Sequence, residues 1–426
     1  MTERLPGFST LSIHAGAQPD PTTGARATPI YQTTSFVFND ADHAASLFGL
    51  QAFGNIYTRI GNPTNAVLEE RVAALEGGTA ALAVASGHAA QLVTFHALLQ
   101  PGDEFIAARR LYGGSINQFN HSFKNFGWNV VWADTDDVST FEKALSPKTK
   151  AIFIESIANP GGTVTDIEAI AAIARKAGVP LIVDNTLASP YLIKPIDHGA
   201  DIVLHSATKF LGGHGNSIGG IIVDAGTFDW SRDGRYPVLS EPRPEYHGIK
   251  LQETFGNFAF AIAARVIGLR DLGPALSPFN AFLLLTGIET LGLRVQRHSD
   301  NAKAVAEWLS AHPAVAWVSY AGLPGDRYHN LARKYSPKGA GAVFTFGLKG
   351  GYDAGINLVS NVKLFSHLAN VGDTRSLIIH PASTTHSQLS DAQKAQAGAG
   401  VDVVRLSVGL EDKEDLIADL DQALKA

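Results

Sequence analysis

The sequence contains no cysteine, and its only methionine is residue 1. Without cysteine there can be no disulfide bond, no thiolate nucleophile and no thiolate metal ligand. No apolar run approaches the roughly 20 residues of a membrane-spanning helix, and the first residues lack the apolar stretch of a signal peptide. We therefore expect a cytoplasmic protein without a membrane partner.

Charged residues are also sparse, at 17% of the 426 residues, and the formal net charge is -6. No basic cluster stands out, which argues against a nucleic-acid partner. Hydrophobic residues make up 45% of the chain, a composition typical of a folded globular protein. Because a chain of this length is too long for one compact core, we predict two domains with an appendage.

Short apolar segments alternate with helical patterns through the middle of the chain. The predicted strands cover 80–85, 104–108, 129–133, 151–155, 181–184, 202–205 and 218–223, and a helix is predicted over 166–177. Alternation of this kind predicts an α/β domain with a large, mostly parallel mixed sheet covered by helices.

The rest of the chain divides around this domain. Residues 1–62 are predicted to form an extended N-terminal arm, residues 63–275 the main domain, and residues 276–426 a smaller C-terminal α/β domain. In the C-terminal domain we predict strands over 315–320, 342–347, 377–379 and 403–408. Helices are predicted over 279–309, 356–365 and 413–424, and the helix over 279–309 is expected to kink near Gly287 or Gly292. The polar, proline-rich segment 225–257 is an insertion that is either functional or loosely ordered.

A lysine follows one of the buried strands. The run Ile-Val-Leu at 202–204 leads into Ser206, Thr208 and Lys209. Just past the carboxyl end of a strand a lysine can be desolvated, which lowers its pKa and frees the amine to form a Schiff base. For a lone lysine, an ordinary surface position would be the simpler interpretation. A second predicted strand, however, ends at Asp184, 25 residues earlier, a spacing expected for one strand–helix–strand step.

A Schiff-base lysine and a carboxylate for a pyridinium nitrogen are the two fixed parts of a pyridoxal-phosphate site. Other polar residues follow the neighbouring strands. Ser86-Gly87-His88 opens a helix, where free N–H groups and the helix dipole favour an anion, although such a sequence alone is most often a simple cap. Tyr112 and Asn159 follow two further strands, so we expect these groups to converge at one sheet edge.

Arginines in two other places could bind anions. Arg405 lies in an apolar predicted strand, where it needs an anionic partner. Two interpretations remain open for it: a structural ion pair, or a bidentate clamp on a substrate carboxylate. Tyr57 and Arg59 lie near the end of the arm and would usually be surface contacts, but Arg59 becomes a phosphate ligand if the arm reaches an anionic cofactor.

The histidines do not suggest a metal site. His88, His380 and His386 are scattered, and no spacing of histidines and carboxylates indicates metal ligation. Roles in caps or in the core are favoured for them.

Several stretches are similar to the pyridoxal-phosphate enzymes of cysteine and methionine metabolism, and the resemblance covers nearly the whole chain. The most specific stretches are Tyr57-Thr58-Arg59 with Asn62-Pro63-Thr64, Ala85-Ser86-Gly87, Asp184-Asn185-Thr186, residues 206–214, and His380-Pro381-Ala382-Ser383. Within the family, residues 10–16, 48–50 and 236–248 most resemble the O-acetylhomoserine sulfhydrylase branch. The resemblance implies the fold-type I architecture of pyridoxal-phosphate transferases.

The resemblance also implies a role for each candidate residue. The catalytic candidates are Lys209, which would hold pyridoxal phosphate and transfer protons, Asp184, which would pair with the pyridine nitrogen, and Tyr112, which would stack on the ring. The remaining cofactor contacts would be Asn159 at the ring hydroxyl, Gly87, His88, Ser206 and Thr208 at the phosphate, and Tyr57 and Arg59 at the phosphate of a neighbouring subunit. Substrate would be bound by Arg405, Asn370 and Tyr57.

The implied reaction is a γ-replacement in methionine biosynthesis, in which sulfide displaces acetate from O-acetyl-L-homoserine to give L-homocysteine. A cystathionine γ-synthase or a methionine γ-lyase activity on the same site remains an alternative, although Gly114 stands where methionine γ-lyases carry cysteine. A non-catalytic cofactor-binding protein is a further alternative. The resemblance implies a homotetramer built from two dimers that share active sites, with small molecules as the other partners.

Overall fold

A computed structural model describes residues 6–385, 387, 390, 394 and 398–426. His386 lies outside the described residues. Within them, no helix is both long enough and apolar enough to cross a lipid bilayer.

The centre of the molecule is a seven-stranded mixed sheet with the strand order β1-β9-β8-β7-β4-β2-β3. Strand β9 pairs antiparallel with both β1 and β8, and the other pairings in the sheet are parallel. The mostly parallel mixed sheet is therefore confirmed. Its strands are β1 Ala80–Val84, β2 Glu104–Ala108, β3 Asn129–Ala133, β4 Thr149–Glu155, β7 Leu181–Asp184, β8 Ile202–Ser206 and β9 Gly220–Asp224, while β5 Ile157–Ala158 and β6 Thr163–Val164 form a separate hairpin.

The central strands are apolar along their whole length because helices cover the sheet. Ile202, Val203 and Leu204 of β8 are each at most 1% exposed. Helix Gly87–Leu98 contacts β8 and β9, and helix Ile167–Ala177 contacts β7. The strongly amphipathic sequence of the second helix, capped by Asp166 and ended by a left-handed Gly178, fits this one-sided burial.

A second, five-stranded sheet lies in the C-terminal part of the chain, with the order β10-β11-β14-β13-β12. Its pairings are antiparallel except for β12 with β13. This sheet confirms the smaller C-terminal α/β unit. Its strands are β10 Val315–Ser319, β11 Val343–Leu348, β12 Ser366–His367, β13 Leu377–Ile379 and β14 Val403–Ser407.

The α-helices of the described residues are named here by their bounds. Those before the second sheet are Phe8–His14, Ala41–Phe48, Pro63–Glu76, Gly87–Leu98, Gly113–Asn117, Ser139–Lys143, Ile167–Ala177, Ser189–Leu192, Pro237–Ser240, Leu251–Phe255, Ala259–Ala263, Arg270–Leu272, Pro278–Glu289 and Leu291–Ala311. Those that follow β10 are His329–Tyr335, Gly351–Asn361 and Lys413–Leu424.

Three sequence predictions differ from the structure in detail. The predicted helix over 279–309 is two helices that meet at Thr290, between the two glycines at which a kink was expected. The helix predicted over 356–365 covers Gly351–Asn361 instead, so it starts directly after Gly350. The extended arm contains two short helices, Phe8–His14 and Ala41–Phe48.

The insertion at residues 225–257 is packed against the main domain. Trp230, Tyr236 and Leu251 are each at most 2% exposed, and the Trp230 ring stacks on Phe260 at 5.3 Å. The alternative of a loosely ordered insertion is therefore wrong, because its aromatic residues supply part of the core. Helix Pro278–Glu289 contacts helix Pro63–Glu76 across the predicted domain boundary, and that boundary stays a prediction.

Candidate active site

A cavity of about 290 Å³ lies at the carboxyl ends of β4, β7 and β8, beside the start of helix Gly87–Leu98. Open α/β sheets place their binding sites at this edge. The cavity brings together most of the residues that the sequence predicts for the site: Gly87, His88, Tyr112, Asn159, Asp184, Ser206, Thr208, Lys209, Asn370 and Arg405.

Lys209 is held in a turn at the end of β8. Its backbone N–H donates to the Ser206 carbonyl oxygen at 3.1 Å, and its Nζ donates to Asn370 Oδ1. Burial, together with the nearby positive charge of Arg405, lowers the pKa of Lys209 to about 8. Near neutral pH the amine can therefore both give up and take back a proton.

Asp184 ends β7 and faces the same cavity. Its Oδ1 accepts a hydrogen bond of 3.0 Å from the backbone N–H of Thr186. Burial raises the pKa of Asp184, whereas the hydrogen bonds from Thr186 and the charges of His205 and His88 act in the opposite direction. A cationic ring nitrogen placed against this carboxylate would offset the cost of burying its charge. The residues therefore fit a pyridinium ring.

The first turn of helix Gly87–Leu98 forms the end of the cavity next to Ser206. Ser86 caps this helix by accepting from the Ala89 N–H at 3.1 Å. A Cβ atom on Gly87 would lie 2.8 Å from the Ser206 Cβ, so only glycine lets the helix start approach β8 this closely. The free N–H groups and the Ser206 hydroxyl therefore fit a phosphate group.

Thr208 also lines the cavity, but its hydroxyl group is hydrogen-bonded to the segment before β9. Its Oγ1 donates to the Gly219 carbonyl oxygen at 3.2 Å and accepts from the Gly219 N–H at 3.1 Å. The hydroxyl thus holds the segment that leads into β9. Its predicted contact with phosphate would require it to share or exchange these hydrogen bonds, and the contact stays a prediction.

Tyr112 lies over the cavity with its ring partly stacked on His88, at a centroid distance of 5.8 Å and an interplanar angle of 30°. Its backbone N–H donates to Glu155 Oε1 at 2.7 Å, and the N–H of Asn159 donates to Glu155 Oε2 at 3.0 Å. One buried carboxylate therefore holds two of the predicted cofactor contacts in place.

The sequence prediction missed Glu155. Burial and the nearby charge of Asp184 raise the pKa of Glu155 to about 8. The signal that found Asp184, a carboxylate at the end of a buried strand, applies equally to Glu155 at the end of β4. Other cavity residues that the prediction did not include are Gln91, Ile157, Thr186, Leu187, Ile218, Ala369, Val371 and Thr385.

Arg405 is buried on β14, with 7% of its surface exposed. Its Nη1 donates to Asn159 Oδ1 at 3.0 Å and its Nη2 to the Asn370 carbonyl oxygen at 3.1 Å. No carboxylate of the described residues forms an ion pair with it. Of the two interpretations open from the sequence, the structural ion pair is not observed within the described part of the chain, where the buried guanidinium lines the cavity without a carboxylate partner.

Tyr57 and Arg59 are not among the residues that line this cavity. The Arg59 guanidinium lies 5.5 Å from the centre of the Tyr57 ring and donates to the Arg270 carbonyl oxygen. Both residues are at the surface of the arm, and Tyr57 is 41% exposed. Their predicted contact, with a neighbouring subunit, stays a prediction.

A metal centre finds no support in the part of the chain that the structure describes. There, no three or more His, Asp or Glu side chains are grouped so that they could hold a metal ion. His380 instead hydrogen-bonds to the Ser383 hydroxyl and the Val401 carbonyl oxygen.

Three features lie at the carboxyl edge of the mostly parallel sheet: a lysine of lowered pKa, a buried carboxylate and a helix start suited to phosphate. Together they define a pyridoxal-phosphate-dependent enzyme of the α/β class. Comparison with known proteins gives the family. The model of the Cys/Met metabolism PLP-dependent enzymes matches residues 9–425, and the chain belongs to this family. The predicted family and cofactor are thereby confirmed.

Two curated relatives resemble the chain over almost its whole length. An O-acetyl-L-homoserine sulfhydrylase from Leptospira meyeri is 52% identical over 98% of this chain and 96% of its own. O-acetyl-L-homoserine sulfhydrylase 1 from Thermus thermophilus is 54% identical over 98% of this chain and 99% of its own. The predicted resemblance to this branch is confirmed.

A solved structure from Campylobacter jejuni that contains N'-pyridoxyl-lysine-5'-monophosphate is similar in fold. Its TM-score is 0.96 at 41% sequence identity, over 99% of this chain and 100% of the other. The agreement extends over both sheets and the arm, so the fold-type I prediction is confirmed.

Proposed function

We propose that the protein catalyses γ-replacement on O-acetyl-L-homoserine, in which sulfide displaces acetate and L-homocysteine is formed, as a step of methionine biosynthesis and sulfur assimilation. The observation that carries the proposal is the presence of Arg405 in the same cavity as Lys209, buried and without a carboxylate partner among the described residues. The names of relatives at 52% and 54% identity supply the substrate class.

Arg405 is the residue proposed to bind the substrate carboxylate. Two parallel N–H groups of a guanidinium match the two oxygens of a carboxylate, and the low exposure of Arg405 strengthens such a pair. Because Asn159 and Asn370 accept from the guanidinium in the described structure, its orientation is already fixed before substrate binds. The carboxylate would therefore be held in a defined place relative to Lys209.

Lys209 is proposed as the group that moves protons. When bound, pyridoxal phosphate supplies an electron sink that stabilises negative charge on the substrate next to its amino group. Asp184 would keep the ring nitrogen protonated, and Gly87, His88 and Ser206 would hold the phosphate. Lys209 Nζ removes a proton from the substrate Cα and later returns one, since its lowered pKa makes both the amine and the ammonium form accessible.

Gly114 leaves little room for a side chain beside Tyr112 and His88. A Cβ atom at Gly114 would lie 2.4 Å from the Tyr112 ring and 2.9 Å from the His88 ring. The cysteine that methionine γ-lyases carry at this place would therefore require Tyr112 to move. This contact supports treating the lyase as the less favoured function.

Product analysis of the purified holoenzyme tests the proposal. With O-acetyl-L-homoserine and sulfide we expect homocysteine and acetate, and without sulfide only slow turnover. O-succinyl-L-homoserine serves as the matched substrate for the acyl group. Oxobutanoate and ammonia as main products, with or without sulfide, would show a lyase and contradict the replacement reaction.

We also propose that the protein is a homotetramer, built from dimers in which each arm contributes to the partner's site, and that it is cytoplasmic. Several apolar side chains of the arm are exposed in the single chain, including Val37 at 97% and Phe53 at 83%. A second copy of the chain would bury these side chains in the proposed dimer. In this arrangement Tyr57 and Arg59 reach the partner's phosphate group.

Mixing two inactive variants tests the shared site. Arg59→Ala lacks the arm contact and Lys209→Ala lacks the lysine, but a mixed dimer contains one site with both groups. After co-refolding or co-expression we expect activity to recover to about one quarter of the wild-type value, because half of the dimers are mixed and each holds one intact site. No recovery in mixed dimers isolated with two affinity tags would contradict a site shared between subunits.

A further inference from the structure

A buried polar cluster lies directly behind the carboxyl edge of the large sheet. It consists of Glu76, Ser156, Asn185 and His205, each at most 1% exposed. None of these residues is among those that line the cavity. Buried polar groups of this number are costly unless their hydrogen bonds are satisfied, so the cluster calls for an explanation.

The cluster and the cavity use neighbouring residues of the same strands. Three residues that line the cavity are each next in sequence to a member of the cluster. These pairs are Glu155 with Ser156, Asp184 with Asn185, and Ser206 with His205. Because successive residues near a strand end point to opposite sides, the two sets lie back to back. A change in the cluster therefore acts on the cavity from behind, without touching substrate or cofactor.

Glu76, the last residue of helix Pro63–Glu76, is the centre of the cluster. Its Oε1 lies 2.6 Å from His205 Nε2 and accepts from Asn185 Nδ2 at 2.8 Å. Asn185 Oδ1 in turn accepts from the Ser156 hydroxyl at 2.7 Å. Backbone hydrogen bonds join these residues to the site, since the Ser156 N–H donates to the Asp184 carbonyl oxygen at 3.0 Å.

The charge of the cluster follows from its burial. Among the described residues, Glu76 Oε2 has no hydrogen-bond partner, so an ionised Glu76 needs a cation beside it. His205 is the group at ion-pair distance. Its strand neighbour Leu204 is paired in register with Asp184, whereas Glu76 lies on a helix outside the sheet. The imidazole therefore lies on the strand next to the one that ends at Asp184, and its charge favours the ionised form of Asp184.

We propose that Glu76, His205 and Asn185 form a positioning network that keeps a positive charge behind Asp184, so that Asp184 stays ionised and pairs with the pyridine nitrogen of the cofactor. The proposal rests on the family's dependence on pyridoxal phosphate and not on the choice of sulfur substrate.

The network opposes the effect of burial on Asp184. Burial raises the pKa of this carboxyl group, and the charge of His205 acts to lower it. The other charged or titratable groups near Asp184 face it from the cavity side: Glu155, His88, Lys209 and Arg405. Burial is the largest of the effects on Asp184, and a cation behind the strand would offset it.

Glu76→Gln isolates the charge. Glutamine has the same shape and keeps one carbonyl oxygen for Asn185 and His205, but it no longer stabilises the imidazolium. The measurement is the dissociation constant of pyridoxal phosphate from the reconstituted apoprotein, by equilibrium dialysis between pH 6 and pH 9. If Asp184 becomes harder to ionise, the dissociation constant rises at the acid end of this range, by up to about tenfold for each unit by which its pKa increases. The rise should be smaller at the alkaline end, because a higher pH favours the ionised carboxylate in the variant as well.

His205→Gln removes the cation directly and is expected to give the same pH-dependent loss of affinity. The test therefore does not depend on the folding of one variant. The matched control is His298→Gln, since His298 is also fully buried, and its Nδ1 lies 2.6 Å from the Val408 carbonyl oxygen. The control should lower the unfolding temperature and leave the affinity for pyridoxal phosphate unchanged at every pH.

The pH dependence separates the two possible roles of the network. A purely structural role would weaken cofactor binding equally at pH 6 and pH 9, and this result would overturn the proposal. Unchanged affinity in Glu76→Gln at pH 6 would overturn it as well. Because no sulfur substrate is used, a failure here leaves the proposed reaction untouched, and a failure of the product analysis leaves this result untouched.

Discussion

Lys209→Ala is expected to abolish turnover and to leave the purified protein without covalently bound pyridoxal phosphate. The variant loses both the amine that bonds to the cofactor and the group that transfers the Cα proton, so the loss of kcat should be at least about 10⁴-fold. Homocysteine formation measures the first effect. The visible absorbance of the protein before and after adding amino-acid substrate measures the second.

The control for this prediction is Lys148→Ala, which removes an exposed lysine from the loop before β4. It should keep wild-type turnover and absorbance. Small primary amines added to Lys209→Ala should restore part of the turnover, because they can carry the proton in place of Nζ. Wild-type activity in Lys209→Ala would exclude this residue as the catalytic lysine and, with it, the assignment of the site.

The sequence predicts the main sheet well because its strands are buried on both faces. Runs such as Leu181-Ile182-Val183 are apolar at every position, and Asp184 ends the run where the strand leaves the core. The alternation of strands and helices then places the strand ends at one edge. For this reason Asp184, Asn159 and Lys209, which are far apart in sequence, could be expected in one cavity.

Contacts between distant segments could not be predicted in this way. Asn370 reaches Lys209, and Arg405 reaches Asn159, because the second sheet packs beside the edge of the first. Hydrophobic periodicity predicts the strands of each sheet, but it does not predict how the two sheets pack beside each other. Glu155 could have been included, since it ends a buried strand as Asp184 does, but the two backbone N–H groups that it accepts from could not be predicted from the sequence.

The arm and the insertion show a further limit. Segments rich in proline, glycine and polar residues look alike in sequence whether they pack on their own chain or on another. The insertion packs inward through Trp230 and Tyr236, whereas the arm leaves Val37 and Phe53 exposed. Sequence patterns describe the composition of a segment, but burial depends on the surface that the segment meets.

Asp184→Asn is expected to lower kcat by about 10² to 10³-fold while the protein still folds and binds pyridoxal phosphate through Lys209. Asparagine has the shape of aspartate and can still accept the hydrogen bond that Thr186 donates to Oδ1, so the strand end should be unchanged. It cannot, however, carry the negative charge that keeps a ring nitrogen protonated. The loss should therefore appear in kcat more than in KM, and in an altered visible spectrum.

Asp224→Asn supplies the matched control for this last substitution. Asp224 is 2% exposed and ends β9, which runs opposite to β7 and so ends at the other edge of the sheet. Burial raises the pKa of Asp224 to about 7, as burial also raises that of Asp184, but its partners are the backbone N–H groups of Gly226 and Ala261. The two substitutions thus change similar buried carboxyl groups, and only one of these groups faces the cavity. A normal kcat in Asp184→Asn, or an equal loss in both variants, would mean that the charge at the end of β7 has no role in the chemistry.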